Sequence, residues 1–249
     1  KRRIKKRCIR KERNKVLGTL TGQFLKIGII GAMDEEITAI KLVMNIRSEK
    51  TIAGNIFYSG KLFGKDCVLV KSGVGKVFGA LTSQILISEF RAEKIIFTGL
   101  AGSIKKELKI GDIVVGERCV QYDLDASELG FKIGQIPYTD YRFFYGDKKM
   151  IDIALKTKID DTKIKKGVIL TGDMFQSKKG KGKHKNIFEE LNGDCLEMEG
   201  AAVAQVCTLN KVPFCIIRII SDNADDGALS DFEKFKNIVA NKSSKMIEA

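Results

Sequence analysis

From residue 24 onward the chain repeats one pattern: an apolar run of strand length, a glycine or acid at its end, then a segment with helical spacing. FLKIGII (24–30) is a buried-strand candidate, and after Gly31 the segment DEEITAIKLVM (34–44) carries apolar residues at helical intervals. Asp34, Glu35 and Glu36 fall in its first turn, where carboxylates complement the helix dipole. NIFYSGKLF (55–63) and KDCVLVKSG (65–73) predict a strand pair turning at Gly64, and KVFGALTSQILISEF (76–90) predicts a helix. KIIFTG (94–99), DIVVGERCVQY (112–122), KGVILTGD (166–173) and PFCIIRIISD (213–222) are further strand-length apolar runs. Helices are expected over 185–192, over 198–210 and from 231 to the end. Strands alternating with helices point to an α/β fold around a mostly parallel or mixed sheet. No Pro/Gly/Ser linker interrupts the pattern, so residues 24–249 read as one domain preceded by a basic extension, 1–23.

The net charge of +13 narrows function less than it first suggests. KRRIKKRCIRKERNK (1–15) holds ten Lys or Arg against one acid, so this lead supplies +9 and the remaining chain only +4. The expectation is a solvated, flexible arm, with a polyanion-binding tail for nucleic acid, acidic polysaccharide or anionic lipid as the sharper alternative. The lead has no apolar core of the signal-peptide kind, and no run approaches the roughly 18 apolar residues of a membrane span. Six scattered cysteines without a C-x-x-C pair, and a single histidine, argue against a zinc site. Cys67, Cys195, Cys207 and Cys215 sit in apolar runs and read as small core residues. A reduced, cytoplasmic compartment is expected, with export or surface display left open.

In open α/β sheets ligands bind beyond the carboxyl ends of strands, so the polar residues ending apolar runs carry the chemistry. GIIGAMDEE (28–36), KSGVG (71–75), TGLAGS (98–103), TGDMF (171–175), LEMEG (196–200) and IRIISDNADD (217–226) could converge on one cleft, although each alone reads as a capped helix or a tight turn. GVGKVFG (73–79) has a G-x-G-x-x-x-G spacing, one residue too long for a dinucleotide loop, and it lacks the Walker pattern. It reads instead as a turn that lets backbone approach a ligand. His184 lies among lysines in SKKGKGKHKN (177–186), and no G-x-S-x-G elbow exists, so a serine or cysteine nucleophile system has no base to rest on. Acid–base work falls to carboxylates at strand or helix ends: Glu35, Glu36, Asp173, Glu197, Glu199, Asp222 and Asp225.

KIGIIGAMDEEI, KSGVGKV, TGLAGSI, KIGDIVVG, GQIP, TGDMF, CLEMEGAAVAQVC and PFCIIRIISDNAD, in that order and spacing, resemble the bacterial 5′-methylthioadenosine/S-adenosylhomocysteine nucleosidases over roughly residues 25–248. The resemblance implies a nucleoside phosphorylase-like α/β domain of three layers, with a mixed central β-sheet flanked by helices. It implies hydrolysis of the N-glycosidic bond of adenine thionucleosides, with no metal or organic cofactor. Carried over by position, Asp222 would be the general acid at adenine N7, steadied by Ser221, and Glu36 would bind and activate the attacking water. Glu199 would accept from the ribose hydroxyls, with Met198 against the sugar and Glu197 in a supporting role. An irregular turn is expected to send these three toward the sugar. Phe175 would stack on adenine, and the backbone of Gln176 would read its Watson–Crick edge. Met33, Val74, Phe131, Ile136–Pro137 and Phe232 would wall the sugar and alkylthio group, with segment 126–137 reaching across a homodimer interface.

Two departures stand out. Leu100 replaces a serine that in many relatives helps hold the water, which would leave that task to Glu36 and Arg218; Leu129 replaces a common phenylalanine. A phosphorylase on this scaffold would need basic side chains around phosphate, whereas the water-side position here is the anion Glu36. A polyanion-binding role through the lead and the lysine loop 178–185 is the alternative from a different class.

Overall fold

Buried parallel strands must be apolar on both faces, and the sequence supplies such runs where the central strands form. The computed structural model describes residues 26–176, 182–223 and 241–248. In chain order these give β1 (Ile27–Gly31), α1 (Asp34–Val43), β2 (Asn45–Ile52), β3 (Asn55–Leu62), β4 (Lys65–Lys71), α2 (Lys76–Ser88), β5 (Lys94–Ser103) and β6 (Ile113–Gln121). After a 3₁₀ turn at Ser127–Leu129 follow β7 (Phe144–Tyr145), α3 (Lys148–Lys156), β8 (Ile164–Thr171), α4 (Lys185–Glu190), β9 (Cys195–Glu197), α5 (Gly200–Leu209) and β10 (Phe214–Asp222). Residues 241–248 form a further helix. The basic lead 1–23, Asp225, Phe232 and residues 178–181 of the lysine loop lie outside the described residues.

One mixed sheet holds all ten strands, in the order β10-β6-β8-β9-β5-β1-β4-β3-β2, with β7 on β6. The parallel heart is β4–β1–β5–β10, and β3 and β2 extend it as antiparallel hairpins. Because β10 pairs with both β5 and β6, and β9 with both β5 and β8, this half of the sheet closes into a ring. Ring closure brings the ends of β5, β9 and β10 to the same spot, which an open sheet would not do. Ile30, Val68, Val70, Phe97 and Ile216 fill the core beneath.

The β3–β4 turn forms at Gly64 as the sequence predicts, with Phe63 and Gly64 both at positive φ (47° and 78°). Two such residues between strands match the right-handed twist of a hairpin. Several elements differ from the sequence reading: β7, α3 and β9 were not expected, and two further differences have a clear cause. β2 appears where no strand is expected, because NIRSEKTI is an exposed edge with little apolar signal. β5 runs on through 98–103, since β10 keeps pairing with it as far as Gly102.

Candidate active site

A cleft of about 250 Å³ opens at the carboxyl ends of β1, β5, β9 and β10, and Glu36, Glu197, Glu199 and Asp222 all border it. Each of the four is less than a tenth exposed. Buried carboxylates need partners, and these find them in backbone amides, two hydroxyls and one guanidinium.

Glu36 sits in the first turn of α1 and reaches back toward its own N-terminus. Its Oε2 accepts from the Ala32 and Met33 amides at 2.5 and 3.2 Å, and its Oε1 accepts from the Leu100 amide at 2.9 Å. The carboxylate therefore caps its helix and links β1 to β5 at once. Burial pushes its pKa up, while Arg218 and the three amides pull it down. The Leu100 side chain lines the cleft, but its amide serves Glu36, so replacing a serine there leaves this backbone contact in place.

The turn predicted at 197–199 is present: Glu197 ends β9 and α5 starts at Gly200. Glu197 spends both oxygens on the protein. Its Oε2 accepts from Arg218 Nη2 (2.5 Å) and Nε (3.1 Å) and from the Gly200 amide (2.6 Å), and its Oε1 accepts from the Thr171 hydroxyl. Glu199 is less engaged: Oε1 accepts from the Gly75 amide at 2.8 Å, and Oε2 stands 3.9 Å from Arg218 Nη2. Burial first and Glu197 second push its pKa up to about 8, against the pull of Arg218. Asp222 closes the end of β10, with the Ser221 hydroxyl donating to its Oδ2 at 2.7 Å.

Arg218 is 1% exposed and stacks its guanidinium 4.0 Å above the Phe97 ring. It lies behind the acids and does not line the cleft, which differs from a direct contact with substrate or water. Among the described residues it is thus a single cation set behind four acids.

Met33, Val74, Phe175 and Met198 line the walls as the sequence suggests. Gln176 borders a smaller hollow beside them with Met174, and its Nε2 donates to the Tyr122 hydroxyl at 2.6 Å. Asp173 is turned to another use, holding the Lys76 amide at 3.0 Å, while Lys76 Nζ bonds Asp123 at 2.8 Å. Phe131 and Pro137 do not line the cleft of their own chain; Phe131 packs edge-on against Tyr138 in the 126–141 loop. Sequence reasoning missed Thr171, whose hydroxyl also accepts from the Ala201 amide at 2.7 Å and so joins β8 to α5. Its signal was slight: a threonine ending a buried run. Among the described residues no cluster of His, Cys, Asp and Glu suits a metal ion, and no helix is long and apolar enough to cross a membrane.

The Phosphorylase superfamily model matches residues 26–249. A 5′-methylthioadenosine/S-adenosylhomocysteine nucleosidase of Haemophilus influenzae (strain PittEE) is 37% identical over 225 residues, covering 90% of this chain and 97% of that one. The nucleosidase of the same description from Neisseria meningitidis, solved with methylthio-immucillin-A, superposes with a TM-score of 0.85 at 34% identity over 90% of this chain and 97% of that chain. A futalosine hydrolase of Helicobacter pylori strain 26695 superposes with a TM-score of 0.84 at 35% identity, over 92% and 97%.

Proposed function

Because the chain belongs to the Phosphorylase superfamily, and within it to the 5′-methylthioadenosine/S-adenosylhomocysteine nucleosidases, we propose that its cleft hydrolyses the N-glycosidic bond of these nucleosides by dividing the work between Asp222 and Glu36. The observation that carries this reading is the gathering of Glu36, Glu199 and Asp222, from three separate parts of the chain, around one cavity of nucleoside size.

The chemistry assigns each acid a task. As the C1′–N9 bond breaks, its electron pair moves onto the purine and the ribose becomes cationic. Asp222 gives a proton to N7, so the base leaves neutral; Ser221 fixes the direction of that carboxyl. Water adds to C1′ and its proton passes to Glu36, whose position is fixed by three amides. The products are adenine and the 5-thio-substituted ribose. Glu199 accepts from the ribose 2′- and 3′-hydroxyls, and its negative charge steadies the cationic sugar. Glu197 and Arg218 act behind it by holding Glu199 in place. Phe175 offers a face for adenine, the Gln176 backbone meets its edge, and Met33, Val74 and Met198 border the sugar.

The same charge distribution disfavours phosphorolysis. A phosphate dianion would meet Glu36 and its neighbours with Arg218 already committed to Glu197. Purified enzyme incubated with methylthioadenosine and S-adenosylhomocysteine in phosphate-free buffer should release adenine from both. Release that depends on added phosphate would reverse the assignment.

A homodimer completes the reading. Val74, Val77, Phe78 and Leu81 share one face at the start of α2, and all are at least 40% exposed. A second copy on this stripe would border the cleft through Val74, and Phe131 and Pro137 are the residues it would bring. The basic lead and lysine loop are proposed to bind a polyanion beside catalysis. Heparin binding that survives near-physiological salt and vanishes on deletion of residues 1–15 would support this role; loss at modest salt would leave only generic attraction. The five cysteines of the described residues are unpaired and buried, which supports a reducing, cytoplasmic-type compartment.

A further inference from the structure

Gly99 is buried in β5 directly opposite Arg218 of β10, one residue before the amide that bonds Glu36. Its backbone is not in the left-handed region, so conformation does not require glycine there. Space does. A Cβ on residue 99 would stand 2.7 Å from Glu36 Oε1, 2.9 Å from Arg218 Nη1 and 3.0 Å from Glu36 Cδ. Two oppositely charged buried groups, from α1 and β10, thus converge on the one point that this residue leaves empty. Arg218 Nη1 has only a long contact of 3.4 Å to the Ile217 carbonyl, so it stands open toward that point.

Resting on the role proposed for Glu36, we propose that Gly99 is a positioning residue for hydrolysis: its missing side chain leaves the slot that Glu36 and Arg218 approach from two sides, and this aims the Glu36 carboxylate at the water side of the cleft. The Leu100 amide and Arg218 then favour the ionised carboxylate. The other charged groups around the cleft and on α1 are acids, namely Glu199 and Glu197 where β9 meets α5, Asp222 at the end of β10, and Asp34 and Glu35 on α1 itself, while burial is what opposes ionisation of Glu36. A methyl group at 99 would press on the carboxylate and loosen its bond to the Leu100 amide.

Gly99→Ala is therefore expected to lower kcat for methylthioadenosine on the order of 10²-fold, the scale of an ångström-sized misplacement, with KM little changed. The acidic limb of its kcat/KM profile should move to higher pH, because a displaced Glu36 holds its proton longer. Melting temperature supplies a second readout. Gly99→Ala should lower it in the parent but much less in a Glu36→Ala background, where the colliding carboxylate is gone. A parent-like kcat and pH limb, or an equal melting loss in both backgrounds, overturns the proposal. If Gly99→Ala does not fold alone, folding restored by Glu36→Ala supports it and folding not restored overturns it. Glu36→Gln separates the two levels. Full activity there removes the water role of Glu36 itself, whereas an inactive Glu36→Gln beside a normal Gly99→Ala removes only Gly99.

Discussion

Two hollows lie at opposite ends of the same parallel strands. The one at the amino ends, about 200 Å³, is lined by Ile27, Ile29, Cys67, Ile96, Cys215 and Ile217, with Lys65 and Lys94 at its edge. The one at the carboxyl ends, about 250 Å³, is also largely apolar but gathers Glu36, Glu197, Glu199 and Asp222. The two are of similar size, and their chemistry differs. What separates them is strand direction. At the carboxyl ends the chain leaves the sheet into loops and helix starts, where free amides await acceptors. Glu36 and Glu199 take such amides, from Ala32, Met33 and Gly75. A cavity becomes a site when its rim supplies partners for charge.

The sharpest test of that contrast is to remove charge from the acid-bearing end. Asp222→Asn and Glu36→Gln should each slow adenine release by about 10²–10⁴-fold, the usual contribution of a positioned acid or base, in single-turnover assays at neutral pH. Nucleoside binding should largely survive in both. Activity within a few-fold of the parent would show that the carboxyl-end cleft is not where bonds break.

Stability should track the same network. Arg218→Met leaves Glu197 buried without its cation, and breaking such a pair costs about 3–5 kcal/mol, readable as a drop in the urea midpoint. Thr171 and the Gly200 amide would still hold Glu197, so a cost well below this range would mean that these bonds alone suffice.

Next in size is a pH effect. Glu199 titrates in the fold at about 8 against an ordinary 4.5, so between those values the folded chain holds a proton that the unfolded chain has lost. Stability present at low pH is thereby lost as pH rises toward 8, and the raised Glu36 adds a loss of the same sign. Glu199→Gln should flatten the fall of melting temperature between about pH 5 and 8. Methylthioadenosine affinity in the parent should improve over the same window, because ionised Glu199 accepts from both ribose hydroxyls. An affinity flat across that range would contradict the assignment.

The smallest effect belongs to the other hollow. Ile153→Ser, at a residue 51% exposed on α3, should change stability by no more than about 0.5 kcal/mol and leave adenine release unchanged. A change in turnover would mean that the two ends communicate through the sheet.

Much of this was legible in the sequence because buried parallel strands advertise themselves: β4, β8 and β10 lie within a residue or two of their apolar runs, and β1 within three. β2 was hidden, since an exposed edge strand pairs through backbone and needs no apolar face. β9 was too short to show a period. Seven carboxylates at strand or helix ends were candidates, the family resemblance singled out Glu36, Glu199 and Asp222, and these three reach the cleft. Thr171 and Gly99 did not stand out, because their importance depends on atoms from strands distant in sequence.

The sequence by itself determined the layered α/β plan, which residues are apolar enough to be buried, and which acids sit where strands end. These are local properties, carried by side-chain hydrophobicity and spacing. Tertiary structure alone decided that Arg218 turns its charge to Glu197 behind the cleft, that Glu197 is consumed by the framework while Glu199 keeps capacity for a ligand, and that a side chain at residue 99 would press on Glu36 and Arg218. The physical reason is that hydrogen bonds, ion pairs and excluded volume act between groups brought close in space, and ring closure of β5, β9 and β10 is what brings these groups together.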